Sequence, residues 1–493
     1  MKKEILILLF ILIGAFAVRL YGFNNPMADW HSWRQSDTSS VSRYFVTNGF
    51  DILNPRFHDL SKTPSNGIDN PEGYRFVEFP IYNVLQAGGY TLFPIFTLEE
   101  WGRLINIIAS LFSITLLYLI VRKYSNIRSG LFTAFFFAFI PYNIFFSRVT
   151  LPDPLMVTAI LGGTYFFDKW VCAKNLHTNN LRSILDFRYI VSLLLITCAF
   201  LLRPYAIFFT VPIIYLAYRK WGVSFLRKWQ LWIFFLVAIV PFGLWRIWML
   251  RHPEGVPVSN WLFNGNGIRF KGAFFQWIFG DRIPRLISGY WGLPFIVLGV
   301  LVKQKDSLFF SSFLLSSLVY LFAVATGNVM HDYYQILIVP TLAIFFGIGV
   351  DFILSQSETV FNRRVAKLSV VVCILLMFML SWYNVRGYYN IDHPEIIEAG
   401  KAVDKLAPKD AKVIAAYGGD TTFLYQTKRR GWPVVDRSWE DLIKAGAHYI
   451  VLVNPSKEEL HIGTEYKQIK YEEFFVQDDK RSYVIFDLTQ KLQ

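Results

Sequence analysis

Residues 79–98 read FPIYNVLQAGGYTLFPIFTL, and whether this stretch crosses a membrane decides the orientation of everything after it. It is apolar, but Pro80, Gly88, Gly89 and Pro94 punctuate it. Proline removes a backbone donor and glycine weakens a helix, so this is a poor spanning segment. Eleven other apolar runs have the length of a crossing or nearly so: 4–20, 103–121, 129–147, 152–167, 189–203, 205–218, 229–250, 287–302, 307–325, 333–353 and 366–385. With Lys2 and Lys3 inside and 79–98 not spanning, five loops fall inside. They carry Arg122/Lys123/Arg128, Lys169/Lys174/Arg182/Arg188, Arg219/Lys220/Arg227/Lys228, Lys303/Lys305 and Arg363/Arg364/Lys367. All are basic, as orientation rules require, and all would land outside if 79–98 spanned. The expectation is about 11 spans, with 79–98 lying at the outer interface as a helix or short hairpin.

Composition agrees. Of 493 residues 54% are apolar, 18% aromatic and only 17% charged. Soluble domains carry about 25% charged residues, so a soluble enzyme, a disordered chain and a coiled coil are excluded. The net charge of +13 follows from the basic inner loops and is no sign of nucleic acid as a partner. Cys172, Cys198 and Cys373 lie in or beside apolar runs and suggest no disulfide framework. Ala15-Phe16-Ala17 has the form of a signal-peptide cleavage site, but the apolar run continues past it, which favours an uncleaved first span.

This topology divides the chain into a membrane domain, 1–386, with outer loops 21–78 and 251–286, and an extracytoplasmic domain, 387–493. The tail reads as a small α/β fold. It has helix-like stretches near 395–406 and 439–447, and strands at 412–418, 448–455 and 482–488. Gly418-Gly419-Asp420 reads as a strand-to-helix turn more readily than as a phosphate cradle. No internal repeat of the transporter kind is visible.

Chemistry concentrates in the first outer loop, where Asp29-Trp30-His31-Ser32-Trp33-Arg34-Gln35-Ser36-Asp37-Thr38 packs acid, imidazole, guanidinium and amide groups between aromatics. Such a loop can also be ordinary solvated chain with tryptophan anchors. A helix opening at Ser36-Asp37-Thr38 and closed by Gly49 would give Asp37 a duty at a helix N-terminus. Asp29 has no such duty, and a carboxylate near a membrane surface is suited to take a proton from a hydroxyl. Glu78, Asp153, His331 and Tyr333 fall on the same side. Arg19, Arg103, Arg148, Arg203 and Arg246 mark the outer ends of spans, against the positive-inside bias. Charges at membrane depth are costly unless paired, so their gathering points to a resident anion such as a lipid phosphate. Asp29, His31, Glu78 and His331 are also ligand types for a divalent cation, but their spacing is loose. No motif demands a cofactor, and a metal remains an open expectation.

The string His31 to Thr38, Glu78-Phe79-Pro80, the turn Arg148 to Asp153, and His331-Asp332-Tyr333-Tyr334-Gln335 with Pro340 resemble the membrane glycosyltransferases of the GT-C fold. The chain resembles bacterial relatives of the protein O-mannosyltransferases and of the aminoarabinose transferase that modifies lipid A, over about residues 1–390. The Asp-Glu pair familiar in the first loop of that group is absent, so Asp29 or Asp37 must replace it. Phe79 stands where the lipid A enzymes have a basic residue. The resemblance implies a polyprenyl-phosphate sugar as donor and a lipid, glycan or protein as acceptor, at the outer face of the bacterial cytoplasmic membrane. It implies Asp29 or Asp37 as base, Arg148 and Arg203 on the phosphate, and His31, Arg34, Glu78, Asp153, Arg246, His331 and Tyr333 in substrate binding. Transfer would invert the anomeric centre. Two rival readings share the need for cations near a lipid phosphate: a lipid-linked saccharide flippase, and a polymerase or ligase with a pyrophosphate-linked donor. A flippase predicts charges along a central path, and the mid-span regions are almost bare of them.

Overall fold

The computed structural model describes residues 2–65, 67–173, 181–356, 362–476 and 478–492; Lys174 of the second inner loop lies outside these. Two compact units divide the chain. The first comprises Met1–Phe23, Arg103–Arg246 and Ser259–Tyr388, and the second Asn24–Gly102, Ile247–Val258 and Tyr389–Gln493. The second therefore takes in most of the first outer loop and 79–98 along with the tail.

The first unit is helical, as a chain with no water to satisfy its backbone must be. Among the described residues, four helical segments are long and apolar enough to cross a membrane: Leu98–Tyr124, Trp229–Met249, Asp332–Gln356 and a stretch of Arg363–Leu406. Ile127–Phe139, Phe187–Leu202 and Ser307–Ala323 are shorter apolar helices. Prolines account for the shortening at two places. The run 129–147 breaks into Ile127–Phe139 and Pro141–Phe146 because Ile140, with ψ 123°, is extended before Pro141. The run 205–218 becomes a tight turn of helix, Pro204–Thr210, followed by Val211–Trp221 with Pro212 in its first turn.

Small residues bring the helices of this unit together, as is usual within bilayers. A Cβ at Gly299 would lie 1.9 Å from the Phe345 carbonyl oxygen, and one at Gly349 1.9 Å from that of Phe295. Charges at helix ends are paired. Asp351 accepts from Asn126 at 2.7 Å and Ser129 at 2.9 Å and is bridged by Arg128.

In the second unit, Ile81–Leu92 is a single helix of 12 residues, opened by Pro80 and ended before Pro94. At about 1.5 Å per residue it covers roughly 18 Å, well short of a bilayer core of roughly 30 Å. The tail forms five strands: β1 (Lys412–Ile414), β2 (Arg430–Trp432), β3 (Ala447–Val453), β4 (Tyr466–Val476) and β5 (Asp479–Lys491). Their order is β2-β1-β3-β5-β4, with β1 parallel to β2 and β3, and β5 antiparallel to β3 and β4. Alternation builds two cores. Val413, Ala415, Val451 and Ile485 pack with Ile396, Val403 and Phe423 on one face, while Ile414, Ile450, Leu452, Val484 and Phe486 pack with Leu442 and Trp432 on the other. The expected helices are Pro394–Leu406 and Trp439–Lys444; the expected strand 412–418 is only three residues long, and the strand at 482–488 is extended at both ends.

Candidate active site

The loop string becomes a helix, Ser32–Asn48, that begins earlier than its sequence signals suggest. The residue before it is His31, whose backbone is left-handed at φ 56°, a conformation that costs an L-residue roughly 1–2 kcal/mol. Its ring meets that of Trp30 edge-on at 5.0 Å. Gly49, at φ 93°, closes the helix as expected. Asp37 thus sits in the second turn, and the capping duty expected for it is corrected: its carboxylate has long-range partners instead. Arg75 donates to Oδ2 at 2.5 Å, and the Thr421 hydroxyl to Oδ1 at 2.8 Å. Asp29 is buried and accepts from Gln35 Nε2 at 2.7 Å.

Arg34 through Ser40 are all buried, although every one is polar. Burying such groups is tolerable only when they are hydrogen-bonded. Arg34 Nη2 reaches both Glu78 oxygens at 2.8 Å. Asn83 donates to the Thr38 carbonyl at 2.6 Å, while Gln86 donates to Ser39 Oγ and accepts from Ser42 Oγ, both at 2.7 Å. A narrow cleft lined by Arg34, Asp37, Arg75, Glu78 and Asn83 opens here, with about 10 Å³ available to the centre of a water molecule, one water's worth.

Two more carboxylates join this acidic region. Asp59 is fully buried, which pushes its carboxyl up to about 7; the Ser61 N–H, donating at 2.7 Å, opposes that rise and the nearby Asp37 charge adds to it. Asp420 is likewise raised by burial and by Asp37, against the Thr422 N–H at 2.7 Å. Gly418 and Gly419, at φ 60° and 87°, make the turn from β1 towards the short helix Thr422–Gln426. This turn also supplies Thr421, and Thr422 Oγ1 lies 2.9 Å from Ser32 Oγ. Sequence reasoning missed Arg75, Thr421, Asp59 and Asp420 as neighbours of Asp37. Only Asp420, beside two glycines, carried any local signal.

The first unit holds the remaining predicted residues. Arg203 and Asp153 form a buried pair at 3.1 Å, in which Asp153 begins the helix Asp153–Val171 and Arg203 follows Phe187–Leu202. Arg148 is fully buried, donates to the Gly22 carbonyl at 2.6 Å and stacks on Phe145. Arg103 donates to the Phe23 carbonyl at 2.5 Å. Arg19 departs from the expectation of a phosphate ligand: it donates to Ser147 Oγ at 2.7 Å, Ala138 O at 2.8 Å and Ala15 O at 3.0 Å, which makes it a tie between helices. Arg246 is exposed beside Phe242. The His331 ring stacks on Tyr333 at 5.5 Å, and Asp332 accepts from the Tyr388 hydroxyl at 2.5 Å. Among the described residues no three His, Cys, Asp or Glu side chains converge as ligands of a metal would.

Comparison with known proteins places this architecture in a class. The family profile for dolichyl-phosphate-mannose-protein mannosyltransferases matches residues 78–248. The fold is similar to that of ArnT from Cupriavidus metallidurans bound to undecaprenyl phosphate, with a TM-score of 0.64 at 14% identity over 97% of each chain. It is also similar to the oligosaccharyltransferase AglB from Archaeoglobus fulgidus, in complex with an inhibitory peptide and a dolichol-phosphate. There the TM-score is 0.57 at 11% identity, over 97% of this chain and 74% of that one. Sequence comparison with curated proteins returns no match. The chain has the GT-C fold of the membrane glycosyltransferases.

Proposed function

We propose that this protein transfers a sugar from a polyprenyl-phosphate donor to an acceptor hydroxyl, with inversion, at the outer face of the bacterial cytoplasmic membrane. In this reading the chain crosses about 11 times with its N-terminus inside and the tail outside. The observation that carries the reading is a pair of buried carboxylates, Asp29 and Asp37, in a chain with the GT-C fold. Relatives of that fold with a bound undecaprenyl phosphate or dolichol-phosphate support the class of donor.

The two carboxylates have different duties. Arg75 and Thr421 engage one oxygen each of Asp37 and hold its carboxylate between the helix and the tail of the chain. Asp29 is therefore the base and Asp37 the anchor of the helix that carries it. The acceptor O–H gives its proton to Asp29 as its oxygen bonds to the anomeric carbon. The bond from that carbon to the phosphate oxygen breaks, and polyprenyl phosphate leaves with the electron pair. Arg148 and Arg203 stabilise that phosphate, since guanidinium matches phosphate oxygens well. His331, Tyr333 and Arg246 bind the donor, and His31 the acceptor. The pairs Arg34–Glu78 and Arg203–Asp153 keep these groups oriented.

The test is turnover of a polyprenyl-phosphate sugar by the purified protein in detergent. Release of free polyprenyl phosphate separates transfer from transport, since a flippase moves its cargo without cleaving it. Asp29→Asn should lower kcat by about 10²–10⁴ with the melting temperature retained. Full turnover in that variant would remove Asp29 from the mechanism.

A further inference from the structure

A second cavity in the unit that carries the sheet takes no part in the chemistry above. It holds about 450 Å³, within the range of small-ligand sites. The helix Ser32–Asn48 forms one wall, and the segments entering β1 and β2 form the others. Six cations line it, Arg43, Lys409, Lys412, Lys428, Arg429 and Arg430, against the single carboxylate of Asp410.

Neighbouring acids neutralise only part of this charge. Asp404 bridges Lys409 at 2.7 Å and Lys428 and Arg429 at 2.9 Å, and Glu99 pairs with Arg43 at 3.1 Å. Lys412 and Arg430 have no carboxylate partner among the described residues. The ammonium of Lys412 donates to the Ala445 carbonyl at 3.2 Å, and Arg430 donates to that of Glu72. His58 also lines the cavity. It is 5% exposed, and neither ring nitrogen has a hydrogen-bond partner. A buried imidazole left in that state is costly unless a ligand completes it. Burial and the charges of Arg43, Arg75 and Arg430 hold its pKa down, so it stands there as a neutral donor.

We propose that this cavity binds a phosphate monoester carried on a saccharide. Several converging cations with few carboxylates match a dianion. The rest of the lining argues for a polar carrier. Ser40, Thr47 and Asn48 offer hydroxyl and amide groups to sugar hydroxyls, and Tyr44 and Phe57 offer ring faces. Among the described residues that line it, no run of aliphatic side chains is present to hold an acyl tail. Assigning the site to the acceptor of glycosyl transfer rests on the function proposed above; the binding itself does not.

The experiment is calorimetric titration of the purified full-length protein in detergent with glucose 6-phosphate. Glucose and the water-soluble dihexanoyl phosphatidic acid serve as comparison ligands. Glucose 6-phosphate should bind saturably and glucose should not. Lys412→Gln and Arg430→Gln should each weaken binding tenfold or more, and Asp29→Asn should leave it unchanged. Lys412 is only half-buried, so its variant tests the site even if Arg430→Gln fails to fold. Absent saturation, or a Lys412→Gln variant that binds as the parent does, overturns the proposal. Tighter binding of the phosphatidic acid than of glucose 6-phosphate, lost in Lys412→Gln, overturns the saccharide as carrier. Retained turnover in Asp29→Asn would count against the proposed base alone.

Discussion

Arg34 and Glu78 are both candidates for touching substrate by sequence, yet they face each other, and a double-mutant cycle separates the two roles. Their side chains are 4% and 7% exposed, and one guanidinium nitrogen reaches both carboxylate oxygens at 2.8 Å. Removing one partner of such a pair leaves the other charged, buried and uncompensated, at a cost of about 3–5 kcal/mol. Replacing both by apolar groups of similar volume is often close to neutral. Arg34→Met and Glu78→Leu should therefore each be severe alone, while the double variant should recover most of the loss, a coupling of about 2 kcal/mol or more. For a unit of this size each kcal/mol moves the midpoint by roughly 2–4 °C, so each single variant should melt about 10 °C lower. The measurement is thermal unfolding of all four proteins in one detergent, with transferase turnover recorded on each. If the pair only braces the helix, the double variant regains turnover along with stability. Additive losses would refute the pairing argument, and recovered stability with turnover still absent would return one of the two residues to the substrate.

Other consequences follow from particular contacts. Asp59 has its carboxyl raised from 3.8 to about 7, so the folded state holds a proton that the unfolded chain has released. Its contribution to stability is therefore present below pH 3.8 and lost as pH rises through 7, a penalty of up to about 4 kcal/mol. Asp59→Asn should raise the melting temperature at pH 8 and not below pH 4; parallel pH profiles for the two proteins would contradict this. Gly349→Val should destabilise by about 3 kcal/mol or more, since its Cβ would meet the Phe295 carbonyl at 1.9 Å. Gly243→Ala, with nothing within 4 Å, should be neutral or slightly stabilising in the same melt. Arg203→Gln should raise KM for the lipid-linked donor, whereas Arg19→Met should lower the melting temperature and leave that KM unchanged; steady-state kinetics on both would distinguish a phosphate ligand from a helix tie.

How far the sequence carries this reading depends on the range of the interaction. The helical character of the apolar runs, the break at 79–98 and the helix Pro394–Leu406 are visible because hydropathy, proline and helical periodicity act within a few residues. The strand β4 escapes such reading. Its sequence, YKQIKYEEFFV, is charged because it is an edge strand paired only with β5, and charge is how edges are kept from pairing further. The helix start at Ser32 escapes for another reason: it follows a left-handed His31 and has no side-chain cap, so the local signals at Ser36-Asp37 pointed several residues too late. The partners of Asp37 lie beyond any local rule, since Arg75 is 38 positions away and Thr421 is 384. The proposal of Asp29 rather than Asp37 as base draws on these two contacts of Asp37, which only folding brings together and which composition and spacing do not display.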